Sequence, residues 1–204
     1  MVYVDAEVRR GQLVSAARAV LARNGVAKTT LRAVAAEAGV PLGTMQYVFP
    51  AKEQLLRAVI EDVVGEIARV LEESADLHRG LAHAIRQGLM SFWSQLVAGH
   101  AGEQLMQYEL TTYALRTAGQ ESLARWQYER YTGIVADWCR HAADSAGETS
   151  AVPFDRLGRV IVACVDGLIL QHASDPDTAR SNGDLGTMID MVIGITGVGP
   201  EQAS

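Results

Sequence analysis

Apolar residues recur along the chain at spacings of three and four, the period of one helical face, and no stretch alternates as a strand does. Val8, Leu13, Val14, Ala17, Val20 and Leu21 build the first such face, which Asn24-Gly25 ends. Thr29-Thr30 offers capping hydroxyls for a short helix from Leu31 to Ala38, closed by Gly39. Val40-Pro41 leads into a third short helix, Leu42 to Val48, which Pro50 stops. Lys52 opens a long amphipathic helix that reaches Ser74. Five more helices follow, over Arg79–Val97, Glu103–Thr117, Glu121–Ala146, Phe154–Ser174 and Asn182–Thr196. Their joints are marked by Gly99–Gly102, Gly119-Gln120, Gly147–Pro153 and Asp175–Gly183, and the pattern frays from Gly197. The pattern predicts an all-α chain of nine helices, with no internal repeat and no low-complexity tract.

Composition narrows the class. With 49% apolar and 21% charged residues, the 204-residue chain can bury a real core and is neither disordered nor fibrous. The longest apolar stretch, Val160–Leu170, is interrupted by Asp166 and falls short of the ~20 residues of a membrane span. Met1–Asp5 carries no basic region followed by an apolar one, so neither a secretory leader nor a membrane partner is expected. Cys139 and Cys164 stand in helical segments without CxxC or CxxH spacing. They read as reduced thiols of a cytoplasmic protein, a redox-sensing pair being the rarer alternative.

Charge changes the picture once the chain is divided. The total is −6, yet residues 1–57 hold eight Lys/Arg against four acids, a net of +4, and the remainder carries −10. A basic head on an acidic body suits a protein that presents one end to a polyanion and repels it elsewhere.

The head also carries the motif. Two short helices joined through Gly39-Val40-Pro41 and flanked by longer ones describe a helix-turn-helix, with Val34, Ala35, Ala38 and Val40 as small contacts at the crossing. The run Thr29-Thr30-Leu31-Arg32-Ala33-Val34-Ala35-Ala36-Glu37-Ala38-Gly39-Val40-Pro41-Leu42-Gly43-Thr44-Met45, continued by Gln46-Tyr47-Val48-Phe49-Pro50-Ala51-Lys52-Glu53-Gln54-Leu55, resembles the TetR family of repressors. The resemblance covers residues 7–60; beyond them only the helical pattern and length agree. Two positions depart from it: Gln46 stands where the family often has Tyr, and Val48 where it has His or Tyr.

The resemblance implies a TetR-like repressor with a three-helix DNA-binding domain over residues 1–50 and a helical ligand-binding and dimerisation domain over 51–204. Its expected DNA-contacting residues are Thr30, Arg32, Leu42, Thr44, Gln46, Tyr47 and Lys52. Gln46 can read adenine N6 and N7 in a bidentate way, and Leu42 can touch a thymine methyl. Arg32, Thr30 and Lys52, the last in the first turn of the long helix, are expected at phosphates, with Arg9 and Arg10 as a basic arm. Each Arg on its own is equally well read as a solvated surface charge; the charge split favours the set.

In the body, Phe154–Ser174 is apolar nearly all round, and the last helix has the same character, so both are expected to be buried on two sides. The resemblance implies that they pack on their symmetry mates, through Leu157, Ile161, Val165, Leu168, Met188, Val192 and Ile195. A two-fold homodimer would then meet two-fold-related operator sites. The alternative is a thick monomer core. The middle helices, which in the family enclose an inducer cavity, offer Trp93, Met106, Glu109, Leu110, Tyr113, Trp126, Tyr131 and Trp138 as wall residues for a small hydrophobic molecule. Glu109, near an apolar face, needs a partner such as Arg130 or a cationic or hydroxylated ligand. Read blandly, the aromatics are core and Glu109 is solvated.

An enzyme is disfavoured. None of His78, His83, His100, His141 or His172 follows a Glu at the three-residue spacing of a helical metal site. HExxH, GxSxG and a phosphate loop are also missing, so no catalytic residue, metal or cofactor is expected. A helical interaction or ligand-binding module that has lost specific DNA binding is the remaining alternative.

Overall fold

A computed structural model describes residues 6–198, so Met1–Asp5 and the tail from residue 199 lie outside the described residues. Nine α-helices appear among them: α1 (Ala6–Asn24), α2 (Leu31–Glu37), α3 (Leu42–Val48), α4 (Lys52–Ser74), α5 (Leu81–Phe92), α6 (Ala101–Arg116), α7 (Glu121–Ala146), α8 (Phe154–Ser174) and α9 (Thr178–Thr196). The chain forms two compact units, one of residues up to Val63 with Gly102–Gln127, the other of Val64–Ala101 with residues from Tyr128 onward.

In the first unit, Leu13, Val14, Ala17, Val20 and Leu21 form the buried face of α1, as their spacing requires. The helix ends where Gly25 takes φ +74°, a left-handed turn that L side chains avoid, and its amide bonds the Leu21 carbonyl at 2.8 Å. Thr29 is buried and donates its hydroxyl back to the Gly25 carbonyl at 2.8 Å, tying the connection to α2 onto itself. Thr30 caps α2, its side-chain oxygen accepting from the Ala33 amide at 3.1 Å. Gly39, at φ +64°, makes the turn into α3. Met45 on α3 and Phe49 just after it are fully buried, each contributing roughly 1.5–3 kcal/mol of apolar burial that holds α3 in place. The Arg10 guanidinium covers the Phe49 ring at 4.8 Å.

In the second unit the expected helix from Arg79 divides. Asp76 caps a single 3₁₀ turn, Leu77–Arg79, and Gly80 at φ +93° redirects the chain into α5. The Leu81 amide then donates to the Glu148 carboxylate at 2.6 Å. At its far end α5 widens into a π-helical turn, Trp93–Val97, closed by the Ala98 amide on the Trp93 carbonyl at 2.8 Å. The final helix begins earlier than its apolar pattern suggests, because Asp177 caps it with a 3.0 Å bond from the Arg180 amide. Helix α8 meets α7 closely at Gly158, where an added Cβ would stand 2.6 Å from the Thr132 carbonyl oxygen.

Candidate nucleic-acid interface

The second helix of the helix-turn-helix, α3, buries Met45 and turns Gln46 and Tyr47 outward, with Tyr47 88% exposed. Leu42, Thr44 and Val48 are half-buried. An outward-facing phenol of this size gains nothing from folding and stands free for a partner. Arg32 on α2 and Lys28 before it are exposed, and neither has an ion-pair partner among the described residues. Thr30 is exposed and keeps its hydroxyl proton available while its oxygen caps α2. Arg23 is engaged elsewhere, gripping Glu37 with bonds of 3.2 and 2.6 Å that tie the end of α1 to the end of α2. That bond holds the Glu37 carboxyl below its ordinary range.

Lys52 differs from expectation. Its ammonium does not stand free at the start of α4; it donates to the Val26 carbonyl at 2.6 Å and lies 5.1 Å from the Tyr113 ring centroid. Partial burial there lowers its pKa. In the chain without DNA, one of its N–H donors is thus taken by an internal bond.

Glu109 moves in the same way. Its carboxylate accepts from the Val26 amide at 2.9 Å, while the residue as a whole remains exposed. The partner that its position demanded is a backbone N–H, which leaves no sequence signal. In the first unit Met106 and Leu110 are core residues, Tyr113 covers Lys52, and Trp126 lies under the Arg57 guanidinium at 5.1 Å.

The other expected wall residues, Trp93, Tyr131 and Trp138, belong to the second unit and are buried there. Trp93 meets the half-buried His172 edge-on at 5.6 Å, and Tyr131 meets Tyr128 at 6.1 Å. Trp138 packs on Gly88, and its indole N–H, buried, has no hydrogen-bond partner among the described residues. The Tyr128–Tyr131 pair is accompanied by a carboxylate, Asp166, the residue that interrupts the apolar run of α8. The Tyr128 hydroxyl donates to it at 2.9 Å. Burial first, and the Asp166 charge second, push the Tyr128 phenol up to about 12. Among the described residues no cluster of His, Cys, Asp and Glu has the makings of a metal site.

The expected dimer seam is largely occupied by the chain itself. Leu157, Ile161, Val165, Met188 and Val192 are buried within the single chain. Leu168 is half-buried, while Ile195 keeps 43% exposure, Leu170 45% and Met191 66%. Helix α8 is long and apolar enough by composition to cross a membrane, yet only 28% of its most apolar window is buried within the chain. Of its remaining apolar positions, Val160, Val162, Cys164 and Leu168 are half-buried, and Ala163 and Leu170 are exposed.

Comparison with known proteins bears on the family. Residues 13–59 match the model of the bacterial regulatory proteins of the tetR family. The nicotine-responsive transcriptional repressor HdnoR of Paenarthrobacter nicotinovorans is 29% identical over 194 residues, spanning 93% of this chain and 96% of that one. Residues 13–59 thus form a tetR-type regulatory domain, and the chain resembles TetR-family transcriptional regulators along its length. That domain and that relative, rather than any missing motif, make this chain a DNA-binding transcriptional regulator and not an enzyme. The fold agrees along its length: Salmonella enterica GusR superposes with a TM-score of 0.72 at 19% identity, covering 93% of this chain and 96% of that one. The multidrug binding protein EbrR, solved with ethidium, is 25% identical with a TM-score of 0.61, covering 93% and 99%.

Proposed function

We propose that this TetR-like regulator is a cytoplasmic homodimeric repressor, released from a two-fold-related operator by a small aromatic cation. The division into a DNA-binding head over residues 1–50 and an effector and dimerisation body over 51–204 is part of this reading. The observation that carries it is the outward face of α3, where Gln46 and Tyr47 are exposed, with Arg32 and Thr30 exposed on and just before α2. In this reading Gln46 and Tyr47, with Thr44 and Leu42, meet base edges, and Arg32 and Thr30 meet phosphates.

Dimerisation is supported by apolar side chains that the single chain leaves exposed, Leu170 on α8 and Met191 and Ile195 on α9, rather than by the residues already buried in the chain. The effector class is supported by two relatives: one named for its response to nicotine, the other solved with ethidium. Both are aromatic molecules that carry positive charge in neutral water. Aromatic rings with a carboxylate suit such a ligand, and the second unit holds Tyr131, Tyr128 and Asp166 in succession, with Trp93 and Trp138 buried elsewhere in the same unit. Ligand and operator then favour different states of the dimer, and each weakens the other's binding by the same factor.

The test begins with genomic fragments, enriched on the wild-type protein to yield its operator. Gln46→Ala should then cost ~1–3 kcal/mol on that operator and little on random duplex. Saturating nicotine should weaken operator binding, and saturating operator should weaken nicotine binding equally. Operator affinity unchanged by nicotine would remove the proposed effector, and Gln46→Ala without effect would remove the assignment of α3.

A further inference from the structure

We infer that Glu109 and Lys52 are positioning residues for operator reading: between them they grip both backbone polar groups of Val26, through which α1 leads into the helix-turn-helix. The inference rests on the reading of the head as DNA-binding. Glu109 takes the Val26 N–H at 2.9 Å, and Lys52 gives a proton to the Val26 carbonyl at 2.6 Å. The two backbone groups differ in polarity, one a donor and one an acceptor, and each meets a side chain of the opposite kind and full charge. Such charge-assisted bonds are roughly twice as strong as neutral ones, and here they work in a setting where Val26 itself is buried.

The two prongs come from different helices. Glu109 and Tyr113 stand four residues apart and share one face of α6, so α6 supplies both the carboxylate and the ring above the Lys52 ammonium. Lys52 is the first residue of α4. The turn that enters the helix-turn-helix is thus pinned to α4 and α6 at one residue, four positions before the Thr30 cap of α2. Gly25 makes room for it: an added Cβ there would come within 2.6 Å of a Glu109 carboxylate oxygen. Thr29 closes the same turn from the other side through the Gly25 carbonyl. Any displacement of α6 or of the start of α4 must either break this grip or carry α2 and α3 with it.

The alternatives for these two side chains are a phosphate contact for Lys52 and a ligand contact for Glu109. They make different predictions. The experiment uses the full-length protein, the operator fragment enriched on wild type, and a random duplex of equal length. Binding of wild type, Lys52→Met and Glu109→Ala is titrated at several salt concentrations, and hydrogen exchange is followed over residues 26–32. Both variants should lose about tenfold or more on the operator and less than about threefold on random duplex. The salt slope of Lys52→Met should equal that of wild type, because no phosphate contact is lost. Exchange over residues 26–32 should quicken in both variants.

A Lys52→Met protein that weakens equally on both duplexes, with a salt slope reduced by about one, would make Lys52 a phosphate ligand and overturn the inference. Operator affinity equal to wild type in both variants would overturn it as well. Should Glu109→Ala fail to fold, Lys52→Met decides alone, with Lys52→Arg expected to restore operator binding in part. Failure of the DNA-binding reading is visible separately, as wild type that selects no fragment. Exchange over residues 26–32 then judges the grip by itself, and unchanged exchange in both variants would overturn it.

Discussion

Glu109 and Gly25 fit each other so closely that a single added carbon at position 25 would stand 2.6 Å from the Glu109 carboxylate oxygen. Gly25 also holds φ +74°, so two separate effects oppose a side chain there. The left-handed conformation costs a non-glycine residue roughly 1–2 kcal/mol wherever it occurs. Displacement of the carboxylate adds a further loss only while Glu109 is present. Gly25→Ala should therefore destabilise wild type more than it destabilises a Glu109→Ala protein, as measured by urea unfolding of the four members of the cycle. Equal losses in the two backgrounds would mean that the carboxylate gives way freely.

Gly158→Ala should be among the more damaging single-atom additions in the second unit. Its Cβ would approach the Thr132 carbonyl oxygen to 2.6 Å and the Ala136 amide nitrogen to 3.0 Å, and backbone atoms cannot swing aside as side chains do. A loss of about 1–3 kcal/mol is expected from overpacking. Gly133→Ala on α7 is the control, since nothing lies within 4 Å of its added carbon. Helix propensity alone should make that control neutral or up to ~1 kcal/mol more stable. Thermal unfolding of both variants checks the contrast, and equal melting temperatures would contradict the close α7–α8 approach.

Tyr128 gives a stability signature in alkali. Its phenol is pushed up to about 12 by burial and by Asp166, above the ordinary value of 10.0. The folded state therefore holds this proton more tightly than the unfolded state does. Its stabilising contribution is complete below pH 10, declines as the unfolded chain begins to ionise, and is gone above about 12. The stability difference between wild type and Tyr128→Phe should stay constant to pH 10 and change against wild type between 10 and 12. A difference that is flat across that window would mean that the phenol is not held by Asp166.

Much of this molecule is legible in its sequence because its information is local. Helical periodicity and the punctuation of Gly25, Gly39 and Pro50 locate α1 to α4 closely, and the run from Thr29 to Leu55 carries the family resemblance. The early start of α9 was hidden because Asp177 acts as a cap before any apolar periodicity begins. The roles of Lys52 and Glu109 were hidden for a different reason: each bonds to the backbone of Val26, and a backbone partner has no residue identity. The exposed apolar residues of α8 and α9 could not be separated from the buried ones by apolar content alone. Leu157 and Leu170 are equally hydrophobic, yet folding of the single chain covers the first and leaves the second exposed.

The measurement that bears most directly on the account is a fluorescence-anisotropy titration of the wild-type protein, at two salt concentrations, against genomic fragments that include the DNA flanking its own coding region. The expected result is tight binding to a particular fragment over random duplex of the same length, with affinity for both falling steeply as salt rises. Binding that never distinguishes one fragment from another, at either salt concentration, would contradict the assignment of Gln46 and Tyr47 on α3 as the reading face.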